Sequence, residues 1–256
     1  MKVVILAGGL GSRLSEETDV RPKPMVEIGG KPIIWHIMKI YAAHGFNEFV
    51  VCLGYKGFII KEYFANLFLH QSDITINLEN NQIEIHNRES DNWKITLVDT
   101  GRDSMTGGRI KRIQSYVGNS SFMLTYGDGL GNINVKGLLD FHKAHGKSVT
   151  VTSIKPDGRF GVLGLDENNR VNRFNEKSTE DVAWINGGFF VCEPGIFKYL
   201  ENREDLVFEK EPIQSIVQDQ QMDMYAHDEF WQCMDTYRDW ELLNQMFKSG
   251  KAPWVR

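Results

Sequence analysis

The chain has 256 residues, 41% apolar and 25% charged, which suits one generous α/β domain or two small ones and excludes a disordered polymer. A net charge of −5 excludes a general nucleic-acid binder, which must neutralise many phosphates, yet leaves room for a local basic patch against one small phosphorylated ligand. No stretch approaches the roughly eighteen apolar residues of a membrane span, and the apolar N-terminus is too short for an export signal. Cys52, Cys192 and Cys233 are an odd number without metal-like spacing, so they read as packed thiols in a reducing cytoplasm.

Residues 3–7 form an unbroken apolar run rich in β-branched side chains, the pattern of a strand buried on both faces, and it empties into Gly8, Gly9 and Gly11. Glycines at that point let the backbone adopt positive φ and turn N–H groups into a concave surface for phosphate. Arg13 follows at once, and Lys23 is held between Pro22 and Pro24, with Arg21 and Lys31 nearby. Two better-known phosphate loops are excluded. Leu14 stands where a Rossmann fingerprint needs a small residue, and no Gly-Lys pair follows a strand and ends a Walker loop. The stretch reads as a triphosphate cradle.

Gly29 to Pro32 opens a helix with proline in its first turn, carried by Ile33, Ile34, Ile37, Ile40 and Tyr41 at helical spacing and closed by Gly45. Residues 49–53 read as the next buried strand, followed by a helical pattern through Ile59, Ile60, Tyr63, Phe64 and Leu67. This order predicts parallel strands with helices on both faces. Residues 73–99 change character: period-two alternation on either side of Asn80-Asn81 signals a hairpin, and 92–99 adds a strand, all taken as a β excursion beside the main sheet. Alternation then resumes with a helix at 110–117, strands at 122–126 and 149–154, and a helix at 135–145. Two antiparallel strands flank 166–169, a strand covers 184–192, and polar-apolar helices, including 236–247, end the chain. Without repeats or linkers, residues 1–256 read as a single domain.

Asp128, in Tyr126-Gly127-Asp128-Gly129, sits at the carboxyl end of a predicted central strand, the edge where open α/β sheets place ligands, and suits Mg²⁺. An Asx turn is the alternative. Asp235 in Phe230-Trp231-Gln232-Cys233-Met234-Asp235-Thr236 is the natural second ligand, with an N-cap as the competing reading. Ser104, Thr106, Gly107, Gly108 and Arg109 begin a helix whose free N–H groups suit either a nucleotide or ordinary capping. Glu176-Lys177 ends a strand, and by spacing alone is a surface ion pair. His36, His142 and His145 read as structural.

The stretches LAGGLGSRLSEET, RPKPMVEIGGKPIIWHIMKIYAAHG, DTGRDSMTGGRIKR, TYGDGL, FNEK, INGGFFV, FWQCMDT and GKAPW run from end to end, and in them the chain resembles the sugar-phosphate nucleotidyltransferases, or sugar-nucleotide pyrophosphorylases. The resemblance implies a mixed, mostly parallel Rossmann-like sheet flanked by helices, of the nucleotide-diphospho-sugar transferase type. It implies CTP and glucose 1-phosphate as substrates, Mg²⁺ as cofactor, a homo-oligomer, and a product that feeds dideoxysugar synthesis for surface polysaccharide. It makes Arg13 and Lys23 catalytic, and extends nucleotide contacts over Leu6, Ala7, Gly8, Gly9, Leu10, Gly11, Ser12, Arg13, Lys23, Ser104, Thr106, Arg109 and Gly127. It places the sugar phosphate on Gly161, Glu176, Lys177 and Asn186, and one metal on Asp128 with Asp235. A sugar 1-phosphate is already an oxyanion, so no general base is required, and positioning and cations carry the barrier. The same chemistry with dTTP or UTP, a GT-A-like glycosyltransferase, and a binding subunit without turnover are the other readings.

Overall fold

The computed structural model describes residues 1–11, 18–86, 91–156, 162–165, 170–175 and 183–255. In chain order, β1 (Lys2–Leu6) runs into the glycine turn, and a 3-10 turn over Lys23–Met25 leads to β2 (Glu27–Ile28) and β3 (Lys31–Pro32). Next come α1 (Ile33–Ala42), β4 (Glu48–Leu53), α2 (Gly57–Gln71), β5 (Asp73–Asn77), β6 (Gln82–His86) and β7 (Lys94–Asp99). They are followed by α3 (Thr106–Arg112), α4 (Gln114–Val117), β8 (Phe122–Tyr126), β9 (Gly129–Gly131), α5 (Val135–His145) and β10 (Val149–Ile154). The remainder holds β11 (Val162–Leu165), β12 (Val171–Asn175), β13 (Ile185–Cys192), a 3-10 segment Pro194–Tyr199, α6 (Glu211–Gln218), β14 (Met222–His227), β15 (Trp231–Cys233) and α7 (Tyr237–Lys248).

The central strands are apolar on both faces because both faces are covered. Val3 and Ile5 of β1 pack with α1, α5 and α7, while Val4 and Leu6 pack with α3, α4 and α6. Each such fully buried aliphatic side chain contributes roughly 1.5–3 kcal/mol. The result is a seven-stranded sheet in the order β14-β10-β13-β8-β1-β4-β7, in which β13 alone runs against its neighbours. The mixed, mostly parallel sheet flanked by helices is the expected fold class. Because β1 lies between β8 and β4, the chain crosses over on both sides of it, and the crevice at its carboxyl end is the switch point where such sheets bind ligands.

Four elements depart from the sequence reading. The strand over Lys94–Asp99 does not belong to an excursion: it pairs in parallel with β4 and forms an edge of the main sheet. Only β5 and β6 stand apart, as a hairpin whose Ile76, Leu78, Ile83 and Ile85 are exposed. Pro32 is not inside the first helical turn but precedes it, pairing in a miniature hairpin with Glu27. Gly29 and Gly30 make its two-residue turn with φ of 60° and 80°, the type I′ geometry, and a Cβ on Gly29 would lie 2.0 Å from the Phe247 ring. The helix expected at 110–117 begins earlier, at Thr106, and breaks at Ile113. The C-terminal part also contains β14, an edge strand parallel to β10 where only helices were expected.

Cys52 and Cys192 are buried thiols, and burial pushes Cys52 up to about 12, so it is unreactive packing. Among the described residues no helix is long and apolar enough to cross a membrane. His36 is a structural pin: its Nε2–H meets the Ile28 carbonyl at 2.8 Å, and its Nδ1 accepts the Trp254 indole N–H at 3.3 Å. That arrangement needs the neutral ring, and burial lowers the His36 pKa below 6.5, with Lys31 adding to the effect. The unfolded chain therefore binds the extra proton first as pH drops, so the contribution of His36 is present above about pH 6.5 and is lost below it. The urea midpoint should fall between pH 7.5 and 5.5, and His36→Gln should flatten that dependence; an unchanged slope in the variant would assign the acid sensitivity elsewhere.

Candidate active site

The glycine turn uses its three glycines for three different reasons. A Cβ on Gly8 would lie 2.3 Å from Arg109 Nη1, so Gly8 is there to admit a guanidinium. Gly9 is exposed with nothing near its missing side chain, which leaves it open to a ligand. Gly11 is the one with positive φ, 67°, and its carbonyl accepts from Thr18 Oγ1 at 3.2 Å. Leu6 and Ala7 remain part of the buried sheet, with the Ala7 N–H donating to the Cys52 carbonyl at 3.0 Å, whereas Leu10 is exposed. Ser12 and Arg13 lie outside the described residues.

Lys23 is the centre of the crevice. The rigid Pro22-Lys23-Pro24 backbone leads the 3-10 turn, Pro24 and Met25 are buried, and the Lys23 Cβ lies 3.1 Å from where a Cβ on Gly11 would stand. Its Nζ donates to Asp128 Oδ2 at 2.7 Å and to Asp235 Oδ1 at 2.6 Å. Burial opposes its charge, but the two carboxylates outweigh burial and hold the ammonium above its ordinary pKa.

Two local devices bring the aspartates together. Asp128 follows β8 and Gly127, where a Cβ would lie 2.9 Å from the Leu6 carbonyl, so the turn hugs β1. Immediately after it, β9 pairs antiparallel with β15 in a register that sets Cys233 opposite Gly129, and the Met234 N–H donates to the Asp128 carbonyl at 2.9 Å. Asp128 and Asp235 thus flank one end of a two-stranded ribbon. Asp235 is not consumed as an N-cap, since Thr236 takes that position in a reciprocal capping box with Asp239. Two carboxylates aimed at one cation are a donor set that fits a hard divalent ion completed by phosphate and water oxygens. Among the described residues no group of three or more His, Cys, Asp or Glu could hold a metal.

The residues at the start of α3, read as nucleotide contacts or as ordinary capping, all have protein partners in this structure. The N–H groups of Gly107 and Gly108 donate to the Leu206 carbonyl, and that of Met105 to the Glu204 carbonyl, so the helix start is occupied by protein. Arg109 is 4% exposed and donates to the carbonyls of Gly8, Leu53, Gly101 and Arg102 and to Thr100 Oγ1. It is a staple between the ends of β1 and β4, and burial lowers its pKa. Gly54 leaves it room as Gly8 does, since a Cβ there would lie 2.4 Å from Nη1. Ser104 is buried and accepts from Arg112 at 2.6 Å. Thr106 accepts from the Phe208 N–H at 2.9 Å and donates to Glu209 Oε2 at 2.6 Å.

On the other side of the crevice, β13 carries a bulge opposite Thr152. Gly188 and the fully buried Phe189 both take positive φ there, and Thr152 Oγ1 ties the Phe189 carbonyl at 2.9 Å. The bulge turns the strand's first residues toward the carboxyl edge, where Asn186 is exposed and donates to Tyr126 Oη at 3.0 Å. Gly161, Glu176 and Lys177 lie outside the described residues. Glu209 and Gly54 are site-forming residues with no motif of their own in the sequence. Only the charged run Glu209-Lys210-Glu211 before Pro212 offered any local sign of the first.

Replacing Lys23 by Met leaves two carboxylates facing each other without a cation. The variant should melt lower than the parent and regain stability on adding Mg²⁺ without nucleotide, by more than the parent gains. Equal responses of the two proteins would mean that the carboxylates do not depend on a shared cation.

Residues 2–241 match the family model described as nucleotidyl transferase. The glucose-1-phosphate cytidylyltransferase of Salmonella typhi is 52% identical over 255 residues, covering 99% of this chain and 98% of that protein. A probable glucose-1-phosphate cytidylyltransferase of Bacillus subtilis is 43% identical over 254 residues, covering 99% of each. The crystal structure of HddC from Yersinia pseudotuberculosis has the same fold, with a TM-score of 0.68 at 23% identity over 96% of this chain and 99% of that one. The glycine turn, the lysine between prolines and the paired aspartates lie within the matched region, and the chain belongs to the nucleotidyl transferase family.

Proposed function

We propose that the chain transfers the cytidylyl group of CTP to α-D-glucose 1-phosphate, giving CDP-glucose and pyrophosphate. The observation that carries this reading is the convergence of Asp128 and Asp235 on the Lys23 ammonium, at the mouth of the glycine turn and in a chain 52% identical to a glucose-1-phosphate cytidylyltransferase. A phosphate oxygen of glucose 1-phosphate attacks the α-phosphorus of CTP. The bond from that phosphorus to the bridging oxygen breaks, and pyrophosphate leaves with the electron pair. The nucleophile is already anionic, so no side chain has to remove a proton, and charge and alignment make up the barrier.

Asp128 and Asp235 would hold Mg²⁺. When bound, that ion supplies charge neutralisation to the triphosphate and its leaving group. Lys23 has a two-part role. Without substrate it neutralises the aspartates, and with substrate it is close enough to turn its ammonium onto the phosphates. Arg109 keeps Gly8 and Leu53 in register beneath the nucleotide, and the open face of Gly9 lets the phosphates approach the backbone. Arg13 and Lys177 would supply further positive charge to the triphosphate and the sugar phosphate, by resemblance to the family.

Pyrophosphate release measured with CTP, dTTP, UTP and GTP against glucose 1-phosphate and other hexose 1-phosphates tests the reading. CTP with glucose 1-phosphate should exceed every other pair by roughly tenfold or more in kcat/KM. Lys23→Ala should lower kcat by about 10²–10³ while the protein still folds. A preference for another base would move the specificity without the chemistry, and sugar transfer with no pyrophosphate would refute the reaction.

A further inference from the structure

The carboxylate of Glu209 lies at the meeting point of two segments that border the crevice, and the hydrogen positions around it are determined by backbone donors. Asn186 Oδ1 accepts the Gly188 N–H at 2.8 Å, a bond that fixes which end of the amide is oxygen. The other end is therefore the NH₂ group, and it donates to Tyr126 Oη at 3.0 Å. Tyr126 Oη, having accepted, donates its own O–H to Glu209 Oε1 at 2.6 Å. On the second limb the Phe208 N–H donates to Thr106 Oγ1 at 2.9 Å, which leaves the Thr106 proton for Glu209 Oε2 at 2.6 Å. Both oxygens of Glu209 are acceptors, and every bond in the chain has one permitted direction.

The consequence falls on Asn186. It is exposed at the carboxyl edge of the sheet, two residues before the bulge, and Tyr126 stands two residues before Asp128. With one amide hydrogen on Tyr126 and its oxygen on Gly188, the second amide hydrogen has no acceptor among the described residues and is presented as a donor at the crevice. Anionic and hydroxyl oxygens are the partners such a donor recognises.

We propose that Glu209 is a positioning residue for the sugar phosphate: by accepting the Tyr126 hydrogen bond it keeps the Tyr126 oxygen free to accept from Asn186, and with the Gly188 N–H this holds the amide with its second N–H toward the acceptor substrate. Glutamine at 209 offers one acceptor and one donor, so one hydroxyl must turn around. If Tyr126 turns, its proton faces the Asn186 NH₂ group, that bond is lost, and the Gly188 N–H alone is left to hold the amide. If Thr106 turns, its oxygen meets two donors and its own proton is displaced. The proposal rests on the reading that a hexose 1-phosphate is the nucleophile.

Steady-state kinetics of Glu209→Gln, Tyr126→Phe and the double variant test it, with melting temperatures alongside. Each single variant should raise KM for glucose 1-phosphate by about tenfold, with KM for CTP and kcat within about threefold of the parent. The double variant should be no worse than Tyr126→Phe, because both substitutions cut one relay. Glu209→Asp, which keeps two acceptors, should recover part of the loss. Additive effects, or equal increases in KM for both substrates, would overturn the positioning role and leave Glu209 a support for the loop at 206–209. If the parent uses a different sugar phosphate, the function reading fails while the KM split for that sugar still decides the role of Glu209.

Discussion

One ammonium holds two carboxylates at the mouth of the crevice, and the surrounding architecture serves to make that possible. Asp128 and Asp235 are separated by more than a hundred residues, and each would repel the other if brought together without a cation. Lys23 removes that penalty, and the prolines on either side of it limit the conformational freedom lost in placing it. The ribbon of β9 and β15 then sets the distance: its register fixes Met234 against Asp128 by a backbone hydrogen bond, and the capping box at Thr236 relieves Asp235 of a structural duty. In the proposed function this arrangement serves exchange, since a pair of carboxylates satisfied by a flexible amine would pass to a metal–phosphate complex without leaving a charge unpaired at either stage.

The opposite wall is built on a different principle. Arg109 spends its guanidinium on five protein acceptors and so converts the ends of β1 and β4 and the loop after β7 into one rigid edge. Gly8 and Gly54 are glycines because that guanidinium passes where their side chains would stand. The glycine turn thus owes its stiffness to an arginine behind it and its openness to Gly9 in front. The glycine-rich run carries both functions in adjacent residues.

Much of the frame was legible from local pattern. The apolar runs of β1, β4, β8 and β10 and the helical spacing of α1, α5 and α7 are strong signals, because burial on both faces or on one stripe leaves a mark in neighbouring residues. The misreadings share one physical cause: they depend on partners remote in sequence. Lys94–Asp99 alternates like any strand, and only its pairing with β4 says that it belongs to the main sheet. Trp231–Cys233 is too short to show a period, yet it positions Asp235. Gly107 and Gly108 disfavour a helix by propensity, while carbonyls from the 204–206 loop satisfy their N–H groups and let α3 run from Thr106. Arg109 resembled a ligand cation for the same reason, since nothing in its neighbourhood along the chain reveals the space left by Gly8 and Gly54. The carboxylate pair was visible as two candidates, but the lysine joining them was visible only as a cation near phosphate.

The central claim is that Lys23 and a divalent ion take turns on the same two carboxylates. A crystal structure with CTP and Mg²⁺ tests it most directly. The account predicts an ion at about 2.0–2.1 Å from both Asp128 and Asp235, with the Lys23 ammonium withdrawn from them onto the phosphates. An ion bound to phosphate alone, with Lys23 still bridging both aspartates, would contradict it.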